Sequence, residues 1–201
     1  YLVAKRENGE IIDNEEKIVN FRSNIRISDL YLFNNKKNFI KEIKTIRAQS
    51  SPPNISKEAK FHLKNSDIII YCPGTQHSSL YPTYMTKNFC DEIIKNKNCL
   101  KIIITNIGED YETPSFNASD YITYAYKYLT LNSKKKIKYS DLFDYAFINL
   151  PKKIKKNYVP VDYFNLGNIK IKKIIKNFSK KNNLGQHDGK KIINEIIKLI
   201  K

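Results

Sequence analysis

Along most of the chain, apolar residues cluster in short runs separated by turn formers, and the runs change period in a regular order. From Tyr1 to Asp13 apolar positions flank Asn8-Gly9, a dipeptide suited to the positive φ angles of a type I′ turn, which predicts a β-hairpin. After a polar stretch, Ile25-Arg26-Ile27 and Leu30 to Phe33 read as strand pieces on either side of Ser28-Asp29, whereas 34–50 supports no assignment. Pro52-Pro53-Asn54 stops what precedes it, and Ser56 with Glu58 announces a short helix through Ala59 and Leu63. Ile68 to Cys72 is nearly all apolar and β-branched, the pattern of a strand buried on both faces.

The turn Pro73-Gly74-Thr75 follows, then a helix-spaced set from Thr83 to Asn96 (Tyr84, Met85, Phe89, Ile93, Ile94), then a second buried strand, Lys101 to Asn106. Strand, helix and strand within about 40 residues make a βαβ unit with parallel strands. Beyond the polar loop 108–117, Ser119 is placed to cap a helix carrying Tyr121, Ile122, Ala125, Tyr126 and Leu129. A short helix is expected from Ser140 through Phe147, an extended piece at Tyr158 to Val161, and helices over Ile169 to Phe178 and Lys190 to Lys201, separated by Asn182-Asn183-Leu184-Gly185. The expected architecture is α/β: a mainly parallel sheet with flanking helices in one domain. Residues 1–33 form its hairpin region, 52–130 its βαβ core and 139–201 a C-terminal helical region. The chain opens at Tyr1 with Leu2-Val3-Ala4 already strand-like, so its start reads as a cut.

Composition changes this picture little. No apolar run approaches the roughly 20 residues of a membrane span. The three cysteines, Cys72, Cys90 and Cys99, lack CxxC or Cys/His ligand spacing, so they read as free thiols of a reducing, cytoplasmic compartment rather than a disulfide framework or a zinc site. A net charge of +16 raises nucleic acid as a partner. The lysines, however, are scattered among Asn and Ile, as in Lys152-Lys153-Ile154-Lys155-Lys156, and arginine is confined to Arg6, Arg22, Arg26 and Arg47. Solvated faces explain that pattern better than a groove reader, and nucleic acid is disfavoured.

Candidate chemistry lies where ligands collect in open α/β sheets, in the loops leaving the carboxyl ends of the strands. Gly74 lets backbone amides turn toward one point, and Thr75, Ser78 and Ser79 add hydroxyls, which suits a phosphate. A plain strand-to-helix connection rich in turn formers has about equal weight on these grounds. His77 is a candidate proton donor, though a loop histidine is more often merely polar; His62 and His187 take that plainer reading, with His187-Asp188 capping the last helix. Glu109, Asp110, Glu112 and Asp120 surround the second loop, where one or two carboxylates plus phosphate oxygens would hold Mg²⁺.

These same residues carry a family resemblance. Asp67, Pro73, Gly74, Ser79 and Pro82, with Thr75 and Ser78 as hydroxyl exchanges, resemble at preserved spacing a segment of the 2-phospho-L-lactate transferase (CofD/YvcK-like) family. Asn106 and the run Glu112-Thr113 through Ala118-Ser119-Asp120 resemble that family's strand-end asparagine and helix entry, and Pro52-Pro53-Asn54 and His187-Asp188 are similar landmarks. Cys72, Asn88 and Tyr121 depart from its usual glycine, glycine and histidine. The resemblance implies a Rossmann-like α/β fold, here lacking the family's N-terminal βα units with their first strand and Gly-rich turn, that binds a GDP- or UDP-linked diphosphate conjugate, with Pro73, Gly74, Thr75, Ser78, Ser79 and Asn106 on the ligand, His77 and Asp120 in catalysis, and Asp110 and Asp120 on Mg²⁺. Two readings stay open: a transferase moving a phospholactyl-type group to an acceptor hydroxyl, toward which the enzyme assignment leans, and a non-catalytic nucleotide-sugar-binding factor of carbon metabolism and envelope synthesis. A basic nucleic-acid module is the third. No membrane partner is expected, and a homo-oligomer is left open.

Overall fold

The computed structural model describes residues 1–20, 22–35, 43–151, 158–181 and 185–200. Leu2–Arg6 (β1), Ile11–Ile12 (β2) and Ile27–Leu32 (β3) form a small antiparallel sheet in the order β2-β1-β3. The hairpin is present, but its turn is not type I′: Gly9 has φ +89° while Asn8 does not enter the left-handed region. Gly9 N–H closes on the Arg6 carbonyl (3.0 Å), so one glycine in the αL region is enough to reverse the chain. The two strand pieces around Ser28-Asp29 merge into the single strand β3, and the polar stretch before them contains a short helix, Glu15–Asn20 (α1), anchored by Ile18.

The main sheet is parallel, with Ile68–Tyr71 (β4), Leu100–Ile104 (β5), Tyr145–Asn149 (β6) and Lys172–Lys176 (β7) in the order β4-β5-β6-β7. Two corrections follow. Tyr145 to Phe147 and Ile169 to Phe178 were expected as helical, yet they hold β6 and β7, so the segment after residue 139 is not a helical region. Short apolar runs carry no decisive period, and the alternation of Ala146 and Ile148 with Phe147 between the two cores settles the matter only in three dimensions. β4 is an edge strand of this sheet among the described residues, with Ile70 38% exposed, so it is not buried on both faces.

Helices cover both faces. Ile102, Ile104 and Phe147 pack on Phe178, Ile192 and Ile196, the last two from Gly189–Ile200 (α9). Ile103, Ala146 and Ile148 face the larger core, which includes Tyr81, Tyr84, Ile93, Tyr121, Ile122, Ala125 and Tyr128. That side is built from Lys57–Asn65 (α3), Tyr81–Tyr84 (α4), Phe89–Lys95 (α5), Ala118–Thr130 (α6) and Tyr139–Leu142 (α7); Ile43–Gln49 (α2) and Tyr163–Asn168 (α8) lie at the margins. Ser56 caps α3 as expected, accepting from Ala59 N (3.1 Å). The helix expected from Thr83 to Asn96 is two helices, broken at Asn88, whose φ of +67° only Gly or a short polar residue adopts readily. The lysine run 152–156 and the separator 182–184 lie outside the described residues.

Candidate functional site

The carboxyl ends of β4 and β5 lead into the Pro73 and Asn106 loops, and these enclose a cleft of about 530 Å³. Pro73, Gly74 and Thr75 form one wall, Asn106 to Tyr111 the other, and Gly185, Gln186 and His187 close the third side. That volume is in the usual range for small-molecule sites. The two loops are joined by one side chain. Asn106 Oδ1 accepts from Gly74 N (3.0 Å) while its Nδ2 donates to Gly74 O (3.0 Å), so the amide is held from both ends. Gln76 Nε2 donates to the same Gly74 carbonyl (2.9 Å). Gly74 itself has φ +156°; an added Cβ would meet only Leu80 Cδ1 at 3.9 Å, so backbone conformation rather than space requires the glycine.

After Thr75 the chain forms a π-helical turn, Gln76–Leu80. Its distribution of side chains separates the expected ligand residues into two groups. Thr75 and Ser79 are exposed, with their hydroxyls 2.8 Å apart beside the cleft. Ser78 is turned inward, and its N–H and Oγ both donate to the Glu112 carboxylate (2.9 and 2.5 Å). Glu112 is 2% exposed; burial pushes its carboxyl up from the ordinary range, and the Ser78 donors offset that in part. Glu112 therefore fastens the second loop to the first turn and is not among the residues lining the cleft. Tyr121 sits behind the same junction, its hydroxyl 2.9 Å from Thr113 Oγ1 and beside Asn106.

His77 is not in the cleft. It is fully buried, with its ring edge-to-face against Tyr81 (5.0 Å) and near Phe116, Tyr124 and Tyr128. Neither ring nitrogen meets a partner in good hydrogen-bond geometry. Burial pulls its pKa down to about 3, with only partial compensation from the Glu112 backbone. A neutral imidazole sealed among aromatic rings has no path to a substrate, so the structure places His77 in the core.

Asp120 is likewise elsewhere. Its Oδ2 accepts from Asn117 N (2.8 Å), which makes Asn117, not Ser119, the N-cap of α6, and it receives Arg26 Nη2 at 3.2 Å. Ser119 instead donates to Asp162 through its N–H (3.0 Å) and its hydroxyl. Asp110 does line the cleft, where one carboxylate oxygen accepts from Glu112 N (3.2 Å), and Glu109 lines it alongside. Among the described residues no three His, Cys, Asp or Glu side chains gather as a metal site. Asp110 and Glu109 bring carboxylates to the cleft, the donor type that a magnesium ion takes beside phosphate oxygens and water, whereas Asp120 is not among the residues lining it.

His187 was read only as part of a helix cap. Asp188 does cap α9, accepting from Lys190 N and Lys191 N (3.1 and 3.3 Å). His187 lines the cleft, with Nε2 3.1 Å from the Thr105 carbonyl. Since a carbonyl only accepts, Nε2 carries the proton and Nδ1 is left as the acceptor nitrogen. Burial lowers its pKa, and the Thr105 bond opposes that shift. The histidine followed by an aspartate was visible in sequence; the fold was needed to bring it across from β5.

A family model matches most of the chain, and curated relatives and a solved structure are similar to it. Residues 1–181 match the family model described as 2-phospho-L-lactate transferase CofD. A protein of Aquifex aeolicus named as a candidate gluconeogenesis factor is 25% identical over 99% of this chain and 57% of its own length. A Clostridium acetobutylicum protein of the same name is 26% identical over 99% of this chain and 42% of its own. This chain thus spans about half the length of these relatives. A crystal structure of a UPF0052 family member from Bacillus halodurans superimposes with a TM-score of 0.72 at 18% identity, covering 98% of this chain and 58% of that one.

Proposed function

This chain belongs to the 2-phospho-L-lactate transferase CofD family, and from that premise we propose that the cleft between the Pro73 and Asn106 loops binds the diphosphate of a nucleotide conjugate. The observation that carries the reading is the two-ended bond between Asn106 and Gly74, which fixes both strand-end loops around one opening before any ligand arrives. Pre-formed polar groups need little reordering on binding, which is what a small anionic ligand requires of a site. In this reading the Thr75 and Ser79 hydroxyls and the Gly74 turn receive phosphate oxygens. Asp110, with Glu109, holds Mg²⁺ against the diphosphate, and the metal supplies charge neutralisation there. The nucleotide is GDP- or UDP-linked.

Binding is the function the geometry supports best. The relatives are named as factors and not as transferases, and the burial of His77 removes the proton donor expected for transfer, so both support a binding role over group transfer. Transfer is the second reading, favoured by the cleft-facing His187, whose acceptor nitrogen is the group available to take a proton from an acceptor hydroxyl. Calorimetric titration with GDP, UDP and a UDP-sugar, each with Mg²⁺, tests the proposal on the wild type and on Thr75→Ala/Ser79→Ala. Saturable binding of one of them, weakened at least about tenfold in the double variant, is the expected result, since two hydroxyl contacts are lost. Equal affinity in both proteins would overturn it.

A further inference from the structure

A second cavity, of about 490 Å³, lies away from the cleft where the small sheet meets the end of α6. Its walls come from four elements, with Lys5 of β1, Asp29 and Tyr31 of β3, Arg47 of α2, and Lys127 and Tyr128 of α6. The charges in it do not balance. Lys127 Nζ is 2.9 Å from Asp29 Oδ1 and also donates to the Ser28 carbonyl (2.5 Å), so one cation and one anion are spent on each other. Burial alone would raise the Asp29 carboxyl, yet the Lys127 and Ser28 bonds and the charges of Lys127 and Lys5 hold it below its ordinary value. Asp29 is ionised and already committed. Lys5 and Arg47 remain, and among the described residues neither has an ion-pair partner. The Tyr128 hydroxyl is buried in the wall without a hydrogen-bond partner.

Lys5 is half-buried and Arg47 exposed, and both line the same opening with no carboxylate of their own. A dianion between them meets both charges and gains charge-assisted hydrogen bonds. Guanidinium presents two parallel donors that match two oxygens of a phosphate, and the lysine adds a point charge to a third. We propose that this cavity binds the phosphate group of a small phosphate monoester, at a site separate from the Pro73 cleft, with Leu30, Tyr31 and Leu131 against its organic part. The argument rests on this cavity alone and stands whether or not the cleft binds a nucleotide.

The test is calorimetric titration of the protein with inorganic phosphate at constant ionic strength, chloride making up the balance. Three proteins are compared, each carrying Thr75→Ala/Ser79→Ala so that the cleft hydroxyls add nothing to the signal: that parent, its Lys5→Gln/Arg47→Gln derivative and its Arg47→Lys derivative. The parent binds saturably and the Lys5→Gln/Arg47→Gln derivative binds at least about tenfold more weakly, the loss expected for charge-assisted contacts. Arg47→Lys, which keeps the charge but loses the fork, falls between. Lys5 is half-buried, Arg47 is exposed and neither forms an ion pair among the described residues, so a thermal midpoint near the parent's separates loss of binding from loss of fold. Parent affinity in the Lys5→Gln/Arg47→Gln derivative, or no saturable heat from the parent against the chloride blank, would each overturn the proposal.

Discussion

Acidification should destabilise this protein through His77, and a single substitution should remove much of that sensitivity. The imidazole is fully buried and its pKa lies at about 3, against 6.5 in the unfolded chain. Its folded value is depressed by burial of the charged form, so below pH 6.5 the unfolded chain takes up a proton that the folded chain does not. The stability that this group contributes is complete above 6.5 and is lost progressively as pH falls toward 3. At about 1.4 kcal/mol per pH unit, moving from pH 6.5 to 5 costs roughly 2 kcal/mol. For a chain of this size that lowers the thermal midpoint by about 4–8 °C. Lys127 and Arg6 act in the same direction as burial. Glu112 opposes it, because its raised carboxyl favours the folded state as pH falls through its window. His77→Phe keeps an aromatic ring among Tyr81, Phe116, Tyr124 and Tyr128 and deletes the titration. Urea unfolding of both proteins at pH 7, 6 and 5 reads the difference in slope, and whatever constant packing cost Phe brings cancels from it. A variant whose stability falls with pH as steeply as the wild type would refute the assignment of His77 to the core.

Other expectations concern the loops and the sheet. Glu112→Ala strands the Ser78 N–H and hydroxyl in the interior and should cost about 3 kcal/mol, or roughly 6–12 °C in thermal midpoint, whereas Glu112→Gln retains one acceptor and should cost less. Asn88→Ala, which leaves a φ of +67° to a residue that resists it, should lose about 1 kcal/mol in chemical denaturation, while Asn88→Gly should not. Phe147→Ala removes a buried ring stacked on Phe178 (5.4 Å between centroids) and should lose about 3–5 kcal/mol, a large fraction of the stability of an ordinary domain.

The parts of this fold that were legible in sequence are those where local chemistry and tertiary role agree. Ser56 caps a helix because its hydroxyl does so in any context, and Lys101 to Ile104 are β-branched enough to be a strand wherever they are placed. Tyr145 to Phe147 and Lys172 to Lys176 were read as helical because segments with only two or three apolar positions fit both periods, and only the parallel pairing of β6 with β5 and of β7 with β6 decides between them. The cleft was legible through Pro73, Gly74, Thr75 and Asn106, since strand-end loops converge at one edge of a parallel sheet. Its interior was not. Ser78 and Ser79 are neighbours of the same type, yet one faces Glu112 and the other faces solvent. That division depends on a π-helical turn with no signature of its own. His77 lies in the core and His187 at the cleft for a related reason: composition marks a histidine as titratable, but burial decides whether it can meet a ligand.

The central claim is that nucleotide diphosphate binds between the two strand-end loops. Hydrogen–deuterium exchange with and without GDP or UDP in the presence of Mg²⁺ tests it most directly, because it reports where on the chain the ligand acts. The account predicts slower exchange in the peptides spanning Gly74 to Ser79 and Asn106 to Tyr111, with the His187 segment following. Protection confined to other segments, or none at saturating nucleotide, would contradict it.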